Sequence, residues 1–234
     1  MRTRTIQKLF LISLFALSSS VFAEDKINWT GPYVGINAGY ANTKTEGQNQ
    51  TLSQYTFNNS QNFGLLGGFI GYQKALTNNW LIGIESDFEA AKGNKTVHSL
   101  EYGSPVTYDS NVNSKIESTF SLRPKLGYIF NNNQTLIYTT GGYALANIKT
   151  TYALPPPFNV QSMPSDSSSQ WYSGWTLGAG IEHFLNEKIS IKTEYRYADY
   201  GSNFDAKAGN VFSGLYKNKL QDENSFRVGI AYHF

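Results

Sequence analysis

The sequence predicts an all-β fold, an eight-stranded antiparallel up-and-down β-barrel, and three observations support this prediction. Segments in which bulky apolar residues alternate with small or charged residues recur along the chain, whereas helical periodicity does not. Long and short connections between these segments follow one another in strict alternation. The last segment, NSFRVGIAYHF, keeps its alternation up to Phe234, as expected of a strand that closes the barrel against the first strand.

Eight alternating segments are the predicted strands. Each places aromatic or β-branched residues, which favour strands, on one side of the chain. In the segment WLIGIESDFEAA, for example, Ile82, Ile84 and Phe88 share one side, while Glu85 and Asp87 share the other. The predicted strands span residues 32–43, 63–76, 80–91, 116–130, 134–148, 171–184, 188–200 and 224–234.

The connections indicate how these strands are arranged. Three connections are tight, at residues 77–79, 131–133 and 185–187. Four are long and polar, at about residues 44–62, 92–115, 149–170 and 201–223. An up-and-down barrel with every tight turn at one mouth and every long loop at the other produces this order. An even number of strands also returns both chain ends to the mouth with the tight turns.

The composition of the charged face indicates which side of the barrel meets lipid. This face also carries the small residues, since Gly127 accompanies Arg123 and Lys125, and Gly229 accompanies Arg227. Glycine suits the crowded interior of an eight-stranded barrel better than a solvated exterior. Aromatic residues near strand ends match the interfacial girdles of membrane barrels; they are Trp29, Tyr33, Trp80, Tyr128, Phe130, Trp171, Trp175 and Phe184. We therefore predict a transmembrane barrel rather than a soluble barrel with an apolar interior.

Ten charged residues are predicted to project into the interior of this barrel. Unpaired charges buried there would each cost several kcal/mol, so we expect them to form a network of ion pairs. A cation site at Glu85, Asp87 and Glu89 is the alternative, and the basic residues that share the interior disfavour it. The predicted network comprises Glu85, Asp87, Glu89, Arg123, Lys125, Glu182, Lys192, Glu194, Arg196 and Arg227.

The N-terminal residues have the pattern of a cleaved signal peptide. A basic MRTRTIQK precedes the apolar LFLISLFALSSSVF, and VFA precedes Glu24. We predict a signal peptide over residues 1–23 and the barrel over residues 24–234. Removing the three basic residues of this segment leaves 16 basic and 17 acidic residues from a chain that has 19 and 17, a balance that predicts no nucleic-acid partner. The chain has no cysteine, which excludes a disulfide scaffold and a cysteine-ligated metal site.

Seven motifs together resemble one family. They are INWTGPYVGINAGY, GGFIGYQ, RPKLGYIF, YTTGGYALANI, WTLGAGIEHFL, IKTEYRYADYG and FRVGIAYHF. Their order and spacing are similar to those of the small porin-like outer-membrane β-barrel proteins of Gram-negative bacteria, especially alphaproteobacterial surface antigens. The resemblance covers essentially the whole chain after residue 23. It departs at Pro32, where many members have an aromatic residue, and in lacking the long Pro/Ala-rich lead of some relatives.

The resemblance implies a cell outer-membrane location, contact with outer-membrane lipid, and a C-terminal signal. Some family members are called porins, and others surface antigens or haemin binders. The barrel-assembly machinery of that membrane recognises an alternating C-terminal strand that ends in phenylalanine. On this chain the signal would consist of Phe226, Ile230, Tyr232 and Phe234, which we expect to face lipid, with Arg227 and Ala231 inside.

The function predicted first is that of a structural and surface-interaction protein with a filled interior and four outer loops. The loops would present the protein to ligands or host molecules. Passive diffusion of small solutes is the alternative. A barrel enzyme or a haem binder comes third, because the histidines are few: His183 and His233 lie near the tight turns and are interpreted as polar groups of the rim, and His98 with Tyr102 is a weak haem signal. No catalytic residue, metal or cofactor is predicted.

Overall fold

A computed structural model shows the architecture of the chain. It describes residues 27–49, 56–93, 96–100, 110–130, 133–153, 167–201, 203–205 and 216–234. The predicted signal peptide lies outside the described residues, and so does Tyr102. Among the described residues, no helix is long and apolar enough to cross a membrane.

The described chain is built almost entirely of antiparallel strands. The strands are β1 (Gly31–Asn49), β2 (Thr56–Ala75), β3 (Trp80–Gly93), β4 (Thr96–Leu100), β5 (Ser110–Phe130), β6 (Thr135–Ala153), β7 (Ser167–Phe184), β8 (Ile189–Asp199), β9 (Asn203–Asp205) and β10 (Tyr216–His233). Eight of these strands are long. The other two, β4 and β9, extend the sheet beside β5 and β10.

The eight long strands close into a barrel. Each pairs with its neighbours in the order β1-β2-β3-β5-β6-β7-β8-β10, and β10 pairs with β1. At this seam Tyr33 lies opposite His233 and Tyr40 lies opposite Phe226. The backbone N–H of Phe234 donates to the carbonyl oxygen of Pro32 at 3.2 Å. Closure leaves these strands without a sheet edge, and the predicted eight-stranded antiparallel barrel is confirmed.

One end of the barrel, the short-turn mouth, carries the tight turns. Residues 77–79 form a single 3₁₀ turn between β2 and β3. Asn78 and Asn79 have φ of 60° and 64°, and Asn133, in the turn before β6, has φ of 67°. Asparagine tolerates this left-handed region better than most residues. This preference explains why the turns have the sequences TNN and NNN.

The strands extend further at the opposite end, the long-connection mouth, than the sequence predicts. Residues 44–49 belong to β1, residues 110–115 to β5 and residues 149–153 to β6, although all were predicted as loop. The physical reason is that alternation marks a strand only where one face meets lipid. Beyond the membrane both faces are polar, while the backbone pairing continues without a sequence pattern.

The outer face of the barrel is apolar, and the predicted aromatic girdle is partly wrong. Five of its eight predicted members are exposed on this face: Trp80, Tyr128, Phe130, Trp171 and Trp175. The other three, Trp29, Tyr33 and Phe184, are only 2%, 0% and 3% exposed. They point inward at the short-turn mouth, where all three rings lie against the buried ring of His233.

The interior is stacked in three layers. An apolar layer fills the short-turn mouth and contains Trp29, Leu81, Ile129, Leu136, Tyr138 and Phe184. A second apolar layer lies toward the long-connection mouth and contains Ala41, Phe63, Leu65, Ile116, Ala144, Ala146, Ile148, Ala198 and Tyr200. The charged residues lie between these two layers, along the same inward-facing positions of the strands.

Candidate functional site

The ten charged residues of the predicted network are all buried in the barrel interior, each exposed by 5% or less. They lie on β3, β5, β7, β8 and β10. Strand register places three pairs of opposite charge directly across from each other: Glu85 and Arg123, Glu194 and Arg227, and Glu182 and Lys192. Because residues directly opposite in an antiparallel ladder point to the same side, these pairs share the interior.

Arg123 lies at the centre of this charged layer. Its Nη2 donates to Glu85 Oε1 at 2.7 Å and to Asp87 Oδ2 at 2.8 Å. Its Nη1 donates to Glu194 Oε1 at 2.7 Å and to Thr140 Oγ1 at 3.0 Å. One guanidinium therefore bridges three carboxylates from β3 and β8. Charge-assisted bonds of this length are among the strongest in proteins.

Two further arginines continue the charged layer toward the long-connection mouth. Arg196 donates to both Asp87 oxygens at 3.1 Å and, through Nε, to Glu194 Oε1 at 2.9 Å. Arg227 donates to Glu89 from Nε and Nη2, with a shortest distance of 2.8 Å. Asp87 and Glu194 thus contact two arginines each, which joins the individual ion pairs into one cluster.

Two lysines complete the charged layer toward the short-turn mouth. Lys125 Nζ donates to Glu182 Oε2 at 2.7 Å, and Lys192 Nζ lies 2.8 Å from both oxygens of Glu85. Each ammonium also lies over a ring, with Lys125 4.4 Å from the centroid of Tyr138 and Lys192 3.5 Å from that of Phe69. Such cation–π contacts stabilise a charge that has lost its water.

Two charged or titratable interior residues escaped the sequence prediction. Glu223 Oε1 lies 3.4 Å from Arg227 Nη2, and Glu223 Oε2 accepts from the Tyr200 hydroxyl at 3.2 Å. His233, predicted at the rim, is buried, and its Nε2 lies 3.2 Å from Glu182 Oε1 and 2.9 Å from Ser190 Oγ. Both residues share the inward alternation of Arg227, which was the signal that could have identified them.

Trp29 fills the short-turn mouth below the charges. Its Nε1 donates to the carbonyl oxygen of Asn133 at 2.9 Å, and Asn133 Nδ2 donates back to the carbonyl oxygen of Ile27 at 2.8 Å. Its ring packs edge-on against Phe184 with centroids 4.5 Å apart, and His233 lies 6.2 Å away. The segment before β1 therefore crosses the mouth and is tied to the turn before β6.

The interior holds a small cavity above the charges. It has a volume of about 10 Å³ and is lined by residues that include Asp87, Ser121, Arg196 and Arg227. A single water molecule needs roughly this volume. The space fits one ordered water beside the ion pairs.

The described residues contain no arrangement that suggests a metal site or a catalytic site. No group of three or more His, Asp and Glu side chains among them could hold a metal ion. His183 faces outward with its Nδ1 2.9 Å from Thr135 Oγ1, whereas His233 points into the barrel. Tyr102, named with His98 as a weak haem signal, lies outside the described part of the chain.

The predicted C-terminal signal residues line one outward row of β10. Phe226, Ile230, Tyr232 and Phe234 are exposed on the outer face, while Arg227 and Ala231 are buried. The rings of Tyr232 and Phe234 pack edge-on with centroids 5.1 Å apart. An apolar strand face is therefore available beside the closing seam.

A closed barrel with an apolar outer face and a charged interior is a transmembrane β-barrel, because lipid tolerates only structures without unpaired backbone edges. Comparison with known proteins then identifies the family. The chain belongs to the family described as the outer membrane protein beta-barrel domain, whose model matches residues 9–234. The resemblance inferred from the motifs is confirmed, and the protein is an outer-membrane protein.

Relatives and solved structures are similar over most of the chain. The 31 kDa outer-membrane immunogenic protein of Brucella melitensis is 32% identical, with 90% of this chain and 85% of the relative covered. The 25 kDa outer-membrane immunogenic protein of the same organism is 29% identical, with 99% and 100% covered. Among solved structures, Neisserial surface protein A has 14% identity and a TM-score of 0.43, with 88% of this chain and 98% of that chain covered.

Proposed function

We propose that the protein is a structural barrel of the outer membrane that is closed to solutes and presents its long connections outside the cell. The observation that carries this proposal is the bridging of Glu85, Asp87 and Glu194 by the fully buried Arg123. A barrel of eight strands has an interior just wide enough for side chains. Ion pairs that span such an interior leave no continuous path for water, in contrast to a porin lumen.

The apolar layers on both sides of the charges support the same proposal. Solutes would have to pass Trp29 at one mouth and the layer around Tyr200 at the other. A passage would therefore require displacement of packed rings as well as disruption of ion pairs. Passive diffusion is the less favoured function for this reason, and no catalytic constellation among the described residues favours an enzyme.

The proposed orientation has the short-turn mouth in the periplasm and the four long connections outside. Membrane barrels of bacteria have short periplasmic turns and longer outer loops. The names of the two Brucella relatives describe immunogenic outer-membrane proteins. By analogy, we propose that this protein is a surface antigen whose long connections contact ligands or host molecules.

We also propose that the barrel-assembly machinery recognises the outward-facing residues of the C-terminal strand, from Phe226 to Phe234. The row is exposed, apolar and adjacent to the seam between β1 and β10. Deleting Phe234 should reduce insertion in cells while refolding into detergent is retained. Equal loss of both would indicate that Phe234 contributes packing alone.

Two measurements test the proposed function. In a swelling assay, liposomes that contain the refolded protein should take up small sugars no faster than protein-free liposomes do. Rapid swelling would contradict the closed interior. On intact cells, protease should cut within residues 92–115 or 149–170, whereas a tag inserted at 131–133 should stay shielded. Labelling of that tag from outside would contradict the orientation without affecting the swelling result.

A further inference from the structure

We propose that a cluster of lysines on the outer face of the barrel binds a phosphate-bearing lipid of the outer leaflet. The cluster, called the basic sector here, consists of Lys92 on β3, Lys115 on β5 and Lys149 on β6. These three strands are consecutive neighbours in the barrel. The inference goes beyond the proposed function and rests on its orientation, because the long-connection mouth must lie at the outer leaflet.

Strand register shows that the three lysines face away from the interior. Lys115 and Lys149 lie directly opposite each other on β5 and β6. The next opposite pair, Ile116 and Ile148, is buried in the interior, so the lysine pair points to the other side. Lys92 is exposed and follows an alanine that packs against the interior layer, which places its side chain on the same outer face.

On the outer face of β3, β5 and β6, the described strands that carry the basic sector, lysines outnumber acidic residues. Like charges directly opposite in a ladder repel each other. Lys115 Nζ lies 2.9 Å from Glu117 Oε1, but these side chains are 42% and 34% exposed, and exposed ion pairs contribute little. Glu117 is the one acidic residue of β3, β5 and β6 outside the interior cluster. Three lysines against one carboxylate leave an excess of positive charge that suits an anion.

The height of the basic sector matches lipid headgroups. Phe88, Phe120 and Leu145 lie opposite one another in one row and are the last bulky apolar residues on the outer face of these three strands. Lys92 and Lys149 lie two outward positions beyond this row. With a rise of about 3.3 Å per residue and a tilt of about 40°, this separation is roughly 10 Å in height. Lysine side chains can reach back toward the interface over such a distance.

The opposite charge occupies another part of the same mouth. Asp199 on β8 and Asp222 on β10 lie directly opposite each other. The adjacent residues Ala198 and Glu223 are buried in the interior, so both aspartates face outward. The outer surface is therefore not uniformly basic. An anionic lipid would bind at β3–β5–β6 and be repelled at β8–β10, and its phosphate would contact the lysines as point charges.

Binding of lipopolysaccharide to the refolded protein in detergent micelles tests this proposal. The wild type should bind lipopolysaccharide and lose that binding when the phosphates have been removed with hydrofluoric acid. The triple variant K92Q/K115Q/K149Q should bind about 100-fold more weakly, from about fivefold for each basic residue near an anionic surface. The control K74Q/K188Q neutralises two exposed lysines at the short-turn mouth and should bind as the wild type does.

Three results would overturn the proposal. Unchanged affinity of the triple variant would show that the lysines do not bind the lipid. Equal affinity for the dephosphorylated form would assign recognition to sugar or acyl chains. If soluble tripolyphosphate binds as tightly as lipopolysaccharide and displaces it completely, the site is one for free phosphate instead of lipid. A wrong orientation would be seen separately: the tag at 131–133 would be labelled from outside the cell, while the protein would still bind lipopolysaccharide in micelles.

Discussion

The centre of the barrel interior and its short-turn mouth are filled by opposite kinds of chemistry. At the centre, Arg123 and its carboxylate partners interlock through charge-assisted bonds. At the mouth, Trp29 and Phe184 pack as rings, with one hydrogen bond from the indole to Asn133. Two different kinds of contact therefore pack the interior of this barrel. Charges hold strands β3, β5 and β8 together, while the rings attach the segment before β1.

The two regions also differ in how they respond to loss of one side chain. A buried ion cluster is a poor source of net stability when complete, yet removing one member leaves unpaired buried charges. A ring cluster loses transfer free energy and gains a cavity when it is truncated. Truncation at the centre should therefore lower stability by leaving charges unpaired. Truncation at the mouth should lower it by loss of packing, and variants of the two regions can separate these effects.

Arg123→Ala should have the largest effect on stability. It leaves Glu85, Asp87 and Glu194 without their shared partner, and breaking a buried pair of this kind costs about 3–5 kcal/mol. Urea unfolding of the refolded barrel in detergent measures the loss. Adding Glu194→Gln to Arg123→Ala should recover part of it, because one unpaired charge is then removed. A loss no larger than that of the surface control Lys74→Ala, at an exposed lysine outside the interior, would contradict the cluster.

Trp29→Ala should have the second largest effect. Truncation of a buried ring of this size costs about 3 kcal/mol, and the hydrogen bond to Asn133 is lost with it. Because Trp80, Trp171 and Trp175 face lipid, brominated lipid should quench them and leave Trp29 fluorescent. A Trp171→Ala control should lower stability less. Quenching of Trp29 equal to that of the other three would place it outside the barrel, against this account.

Glu223→Gln should have the smallest effect. Glu223 lies at the edge of the cluster, where Arg227 retains its bonds to Glu89. Glutamine keeps an acceptor for the Tyr200 hydroxyl, so the expected loss is about 1 kcal/mol, the value of an ordinary buried hydrogen bond. Unfolding in urea measures it beside Glu89→Gln, which should cost more. The reverse order would show that Glu223 is a central member.

Alternation made much of this fold and of the charged layer predictable. Within one strand, the side of Glu85 also determines the side of Asp87 and Glu89, so burial of these carboxylates follows from the sequence. Their partners do not, because Arg123 meets Glu194, 71 residues away, across the interior from β8, a strand that does not pair with β5. Glu223 was missed because it precedes the predicted start of the last strand at residue 224.

Alternation could have placed Phe184 inside, because it shares the side of Glu182 within one predicted strand, but it could not place Trp29. A ring near a strand end serves equally well at a lipid interface or inside the barrel. Trp29 precedes β1 and so has no alternating neighbours on its N-terminal side to set its direction. Its inward position depends on Asn133 and Phe184, which are more than 100 residues away in the chain and approach it only when the barrel closes.

Planar-bilayer conductance of the refolded protein tests the proposed closed interior most directly. The wild type should produce no stable conductance steps in symmetric salt, because Arg123 and its partners span the interior and rings fill both mouths. Combining Trp29→Ala, Arg123→Ala and Tyr200→Ala, one substitution in each layer, should produce steps, provided that the variant still migrates as a folded barrel on unheated gels. Large ion-selective steps from the wild type would contradict the account, since water instead of partner side chains would then solvate the interior charges.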